Sequence, residues 1–248
     1  MIYSKKTLLV SLLSVFGGIA QAESGKKVIP YIGISGGIDH LSGKRGEFIT
    51  EDDAGGTVVT TRISSGKSMS NSNIALSVFG GALWQPTSTS FVFGPELYFG
   101  RSTVKSRLTD VRQDLVPQNR FYSKELERRY NYGFTARAGV KCNSLAFLFA
   151  IGFDRGHFRD RTVLTYDPTN ILTIRNNKSK GLSGLVLGAS AEKQIQNFMV
   201  GLDFKYTKYS KLSTQHVFDA GPGLIPGTIN ITARPKVFTT SLRLSYLF

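Results

Sequence analysis

The chain has 248 residues and one cysteine, Cys142, so no intrachain disulfide can form. Histidine is almost as scarce. His40, His157 and His216 lie far apart with no H-x-x-x-H spacing, so the sequence offers no metal site, and no cofactor is expected. Long apolar runs are missing as well. The longest, residues 7–19, is shorter than the roughly 20 residues a spanning helix needs, and mean hydropathy is close to neutral. That excludes a helical membrane protein and leaves a barrel allowed. Acid is in deficit, with 17 Asp and Glu against 31 Lys and Arg, a formal net charge of +14.

The N-terminus reads as a secretory leader. Lys5 and Lys6 form a basic region, residues 7–19 an apolar one, and Ala20-Gln21-Ala22 a small-x-small cleavage pattern. No cysteine stands at the cleavage site, which argues against a lipoprotein. Removing residues 1–22 leaves 248 − 22 = 226 residues, one domain over 23–248, with a net charge of 14 − 2 = +12.

Strict alternation fills the rest. At the C-terminus Phe248, Tyr246, Leu244, Leu242, Thr240 and Phe238 share one face, while Leu247, Ser245, Arg243, Ser241, Thr239 and Val237 share the other. An apolar, aromatic-tipped face opposite a mostly polar one is what a lipid-facing barrel strand requires. The pattern recurs at 198–206, 185–191, 145–153, 130–140 and 91–99, and more weakly at 32–38 and 74–82. Three connections are tight, at 84–89, 142–144 and 194–197; four are long, at about 42–69, 106–127, 159–180 and 213–233. This predicts an eight-stranded antiparallel up-and-down transmembrane β-barrel with short periplasmic turns, both termini periplasmic and long extracellular hairpins. Turn signals near the middle of each long connection, flanked by strand-like arms such as 57–63, predict hairpins that continue well past the lipid. A ten-stranded barrel, with one of these hairpins spanning, fails on polarity because the first hairpin carries Glu47, Glu51, Asp52, Asp53 and Arg62.

The inward face carries charges of both signs: Glu96, Arg137, Lys141, Asp154, Glu192, Asp203, Lys205 and Arg243. Inward glycines, among them Gly94, Gly133 and Gly152, leave room for these long side chains in a narrow interior. The charges read as an ion-pair plug; a line of charges along an ion path is the alternative. The positive excess sits in the long connections. Residues 101–129 hold eight basic against four acidic groups, 154–180 six against three, and 205–236 five against one. Arg128, Arg129, Arg155, Arg159, Arg161, Lys208 and Lys211 are the candidate rim cations. At an outer surface they face lipopolysaccharide phosphates or host polyanions rather than nucleic acid. Plain neutralisation of lipid headgroups is the simpler reading of the same residues.

The leader, the alternating strands, the Gly-rich interior and the terminal Tyr246-Leu247-Phe248 resemble small Gram-negative outer-membrane β-barrels. The resemblance is to the opacity-protein and OmpA-transmembrane-like superfamily, with OmpX similar in its long protruding hairpins. It covers nearly all of 23–248 and rests on pattern, with no motif marking a subfamily. It implies residence in the bacterial outer membrane and recognition by the barrel-assembly machinery of Phe248 with Tyr246, Leu244 and Leu242. Enzymatic barrels exist in this class of fold and need a Ser or Asp beside a His. Here Asp154 and His157 are three apart on a strand and point to opposite faces, as do Ser213 and His216. The expectation is a non-enzymatic surface barrel, structural or adhesive. A narrow porin or solute channel is the alternative, and a lipid A-modifying enzyme a more distant one.

Overall fold

A computed structural model describes residues 26–52, 58–86, 89–113, 119–166, 173–218 and 227–248. The leader expected at 1–22 and the turn signals at 53–56, 117–118, 167–170 and 221–223 lie outside them. Among the described residues there are ten strands. They are β1 (Lys26–Asp52), β2 (Val58–Pro86), β3 (Phe91–Ser102), β4 (Lys105–Gln113), β5 (Asn119–Cys142), β6 (Leu145–Tyr166), β7 (Thr173–Ile195), β8 (Phe198–Tyr209), β9 (Leu212–Phe218) and β10 (Gly227–Leu247). β3 and β4 are successive lengths of one wall strand, interrupted at Thr103 and Val104. β8 and β9 are another, interrupted at Ser210 and Lys211. Counted so, the antiparallel ring has eight strands, β1-β2-β3-β5-β6-β7-β8-β10, and β10 closes it on β1 from Tyr31↔Leu247 to Glu51↔Gly227. Closure leaves no sheet edge within the lipid-facing zone.

The outward residues follow the expected alternation. Phe147, Phe149, Ile151 and Phe153 on β6 are exposed, Phe149 by 73%, while Ala146 and Leu148, which alternate with them, are buried. On β3, β6, β8 and β10 the apolar band is nine residues long, at 91–99, 145–153, 198–206 and 238–246. Nine residues at ~3.4 Å, tilted by ~40°, stand about 23 Å tall, close to the ~25 Å of a lipid-facing belt. Aromatic contacts mark both borders. Trp84 stacks on Phe93 at 6.0 Å and Tyr246 meets Phe248 at 5.2 Å on the short-turn side; Phe99 meets Tyr130 at 6.3 Å and Tyr130 meets His157 at 4.3 Å on the other. Two of the short turns take one residue into the left-handed region, Asn143 (φ 55°) and Gln196 (φ 54°). Cys142 is exposed and unpaired beside the first of these.

Beyond the belt the wall continues as strand rather than loop, so most of 42–69 and 106–127 is paired backbone. Above Ala75↔Ser102, β2 has no strand on its β3 side, since β4 pairs only with β5. Above Gly184↔Tyr209, β7 is likewise left, since β9 pairs only with β10. The hairpin end therefore divides into two four-stranded sheets, β9-β10-β1-β2 and β4-β5-β6-β7. Side chains span the two seams. The Asn71 amide donates to the Lys105 carbonyl, and Asn73 Nδ2 to the Thr103 carbonyl at 3.2 Å. On the other seam Lys178 donates to the Gln215 carbonyl, and Lys180 Nζ lies 3.4 Å from the Ser213 carbonyl. Side chains thus satisfy edge carbonyls that no neighbouring strand reaches.

Candidate functional site: the layered lumen and the outward cations

The inward face is less polar than its sequence suggests, because charged and apolar side chains alternate in layers along the axis. At the short-turn end Ile29, Leu83, Met199 and Leu247 pack together, with Val92, Ala146 and Leu148 forming a second small cluster. Above them lies the first ionic layer. Glu96, fully buried, accepts from Tyr31 Oη at 3.0 Å, Arg137 Nη1 at 3.1 Å and Arg243 Nη1 at 3.1 Å, with Lys205 Nζ at 3.6 Å. Arg137 reaches on to Glu192 and to Ser190 Oγ at 2.8 Å. Arg243 Nε lies 3.2 Å from Glu192, and Lys205 Nζ 3.4 Å from Asp203. The Arg243 guanidinium also sits 3.7 Å over the Phe79 ring.

A second polar layer centres on Asp154. It accepts from Tyr98 Oη at 2.9 Å, Tyr209 Oη at 2.6 Å and Asn131 Nδ2 at 2.6 Å. Arg128 donates to Tyr209 Oη at 3.0 Å and to Asp39, which also accepts from Thr239 Oγ1 at 2.5 Å. Inward glycine is what admits the tyrosines. A Cβ on Gly133 would stand 2.6 Å from Tyr98 Oη, and one on Gly156 2.7 Å from the Tyr209 ring. A cavity of about 50 Å³ between the two layers is lined by Asp39, Arg128, Asp154, Asp203 and Lys205 among others. At ~10–15 Å³ per water, it has room for a few waters.

Over this layer sits an apolar plug. Leu41, Met69, Val104, Leu126, Phe158, Leu182, Leu212 and Val237 fill the cross-section at the level where the outward belt ends. Beyond it Asp160 accepts from Arg45 Nη2 at 3.3 Å and Thr214 Oγ1 at 2.6 Å, with Lys124 also buried. Among the described residues the buried acids are Glu96, Glu192, Asp203, Asp39, Asp154 and Asp160, and the bases within the layers are Arg137, Arg243, Lys205, Arg128, Arg45 and Lys124. With half-buried Lys141 at the short-turn end, six acids stand against seven bases, so most of the chain's net positive charge lies outside this lumen.

The structure brings together six of the eight lumen residues read from the sequence in the first ionic layer and puts Asp154 at the centre of the second. Lys141 stands apart at the short-turn end, half-buried, donating to Gln194 Oε1 at 2.7 Å. Asp39, Arg45, Lys124 and Asp160 were missed, as were the hydroxyls of Tyr31 and Tyr209. Asp39 and Tyr31 were legible, since both stand at odd-numbered positions, opposite in facing to the outward Ile32, Ile34 and Ile38. The other hairpin residues were not, because their stretches read as loops.

The rim candidates divide. Arg128 is a correction. It is buried and paired inside the lumen, because a bulge between Arg128 and Tyr130 inserts Arg129 and reverses the alternation. Arg129, the bulged residue, is exposed. Arg155 faces outward and lies 3.3 Å from Ser183 Oγ. Arg159 and Arg161 face outward, half-buried, opposite Glu127 and Glu125. Those acids also stand opposite Lys105 and Arg107, and Lys105 Nζ lies 3.7 Å from Glu125. Lys208 and Lys211 are exposed, with Lys208 directly opposite Lys236. Lys44 stands opposite Arg234, both exposed. The Asp154 carboxylate points into the lumen while His157 stacks outside between Tyr130 and Tyr132. The His216 side chain lies outside the described residues. Among the described residues no group of three His, Cys, Asp or Glu is arranged to hold a metal ion.

No protein-family model matches the chain, and no curated protein matches it in sequence. Solved structures do. The attachment invasion locus protein Ail of Yersinia pestis, in complex with the heparin analogue sucrose octasulfate, is similar at 14% identity. The match covers 88% of this chain and 99% of that one, with a TM-score of 0.36. The outer membrane protein OprG of Pseudomonas aeruginosa is similar at 12% identity, over 93% and 99% of the two chains, with a TM-score of 0.43. The outer membrane protease OmpT of Escherichia coli is similar at 13% identity, over 89% and 97%, with a TM-score of 0.35.

Proposed function

We propose that the chain is a non-enzymatic, non-conducting barrel of the bacterial outer membrane, with its short turns in the periplasm and its hairpins outside, whose basic outer surface holds polyanions. The observation that carries this reading is the layered lumen. An ionic core of interlinked acids and bases lies between two apolar layers, so an ion entering from either end must shed its water among Leu, Ile, Val, Met and Phe side chains. The excess cations are left on the outer wall and hairpins, free to meet phosphate or sulfate. Asp154 and His157 on opposite faces of the wall support the absence of a hydrolytic centre. The apolar belt supports membrane insertion, and the aromatic final strand, Phe248 with Tyr246, Leu244 and Leu242, supports delivery by the barrel-assembly machinery.

Planar-bilayer recording tests the closed lumen. The folded protein is expected to give no reproducible single-channel steps. Stable steps of one size, abolished by Glu96→Leu, would instead make the chain a channel and overturn the reading.

A further inference from the structure

Cations on the outer wall are of two kinds, and the register separates them. On β5 two outward acids are each set between two bases of β4 and β6: Glu127 between Lys105 and Arg159, Glu125 between Arg107 and Arg161. Each of these four bases thus faces an acid, and no two of them oppose one another. On β8, β10 and β1 the opposite holds. Lys208 faces Lys236 directly across the β8–β10 ladder, and Arg234, two residues along on the same face of β10, faces Lys44 across the β10–β1 ladder. Lys211 immediately precedes β9, whose pairing with β10 begins at Leu212↔Ala233 and so brings Lys211 beside Arg234. All five are exposed, and among the described residues no acid lies opposite them on this face. Directly opposed side chains in an antiparallel pair stand ~4.5–5.5 Å apart at Cβ, and like charges there repel. Two such pairs on adjoining ladders form a surface complementary to an anion.

The height of the patch identifies the anion's carrier. Lys208 and Lys236 are the first outward residues beyond the apolar bands at 198–206 and 238–246, next to the exposed pair Tyr206↔Phe238. The cations point sideways from the wall, at the level of the headgroups, with aromatic and aliphatic surface immediately beneath. A molecule that fits carries phosphate over acyl chains: the phosphates lie across Lys208, Lys236, Arg234 and Lys44, and the chains lie along Tyr206, Phe238 and the belt below. We propose that this patch is a binding site for a phosphorylated, acylated glycolipid of the lipid A type, held from within the same leaflet. The assignment rests on the outer-membrane reading above.

The test uses the full chain folded into phosphatidylcholine nanodiscs containing a small fraction of bisphosphorylated lipid A. Lipid A retained per protein is measured after re-extraction into mild detergent. Wild type is expected to retain it, and Lys44→Gln/Lys208→Gln/Arg234→Gln/Lys236→Gln to retain at least tenfold less. Arg159→Gln/Arg161→Gln, where each base faces an acid, should retain as much as wild type. Dephosphorylated lipid A should not be retained, and soluble heparin should not displace the bound lipid. Equal retention by the quadruple variant, or by the dephosphorylated lipid, overturns the site. Displacement by heparin at equal charge overturns the glycolipid as its occupant and gives the patch to soluble polyanions. Heat-modifiable gel mobility of each variant separates the two levels. A wild-type chain that does not fold into the bilayer defeats the barrel reading, whereas one that folds but retains no lipid A defeats this inference alone.

Discussion

Replacing Glu96 by Leu is the most severe single change that the lumen offers. The carboxylate is fully buried and lies within 4 Å of Arg137, Arg243 and Lys205. Its removal leaves those three cations facing only Glu192 and Asp203, one uncompensated buried charge. Breaking a buried pair from one side costs ~3–5 kcal/mol, and a carboxylate shared by three cations belongs at the upper end. With a urea slope of ~3 kcal/mol/M, a loss of ~4 kcal/mol moves the unfolding midpoint in vesicles down by ~1.3 M. The comparison is Lys105→Ala, which removes an exposed pair with Glu125 whose lysine is 47% accessible, worth ~0–1 kcal/mol. Trp84 fluorescence and heat-modifiable mobility report the midpoint. A second substitution tests the cause. Glu96→Leu/Arg243→Met leaves Arg137 with Glu192 and Lys205 with Asp203, two against two, and should recover most of the loss. The reasoning is refuted if Glu96→Leu shifts the midpoint no more than Lys105→Ala does, or if the double variant is less stable than Glu96→Leu alone.

Two further outcomes are expected. Phe248→Asp places a charge beside Tyr246 on the strand that closes the ring, where the Phe248 amide donates to the Pro30 carbonyl at 3.0 Å. It should block insertion, read as loss of the heat-modifiable form and of membrane yield; normal mobility and yield would remove the role given to this residue. Gly156→Leu drives a side chain into the Tyr209 and Phe158 rings and should cost ~1–3 kcal/mol through overpacking. Gly181→Leu on the neighbouring strand meets only the Arg155 side chain and should cost less, so equal midpoints for the two would contradict the packing described.

Side-chain alternation is a local property, set by the pleat, so the sequence determines by itself which face each residue of 91–99, 145–153 or 238–246 presents. The apolar and aromatic face fixes the belt, and the spacing of turn signals fixes the number of wall strands. Opposition across a ladder is not local. Glu127 lies 32 positions from Arg159, and Lys208 lies 28 from Lys236; only the register makes the first a compensated pair and the second a repulsive one. Nor does the sequence announce a bulge. One extra residue at Arg129 turns Arg128 from the rim into the lumen, since inserting a residue exchanges the two faces from that point on. Asp154 gathers its donors from three other strands, Tyr98 on β3, Asn131 on β5 and Tyr209 on β8, which meet because closure of the ring brings distant walls within a side chain's length. The alternation determines what each face is made of; closure and register decide which charges find partners inside and which are left outside without one.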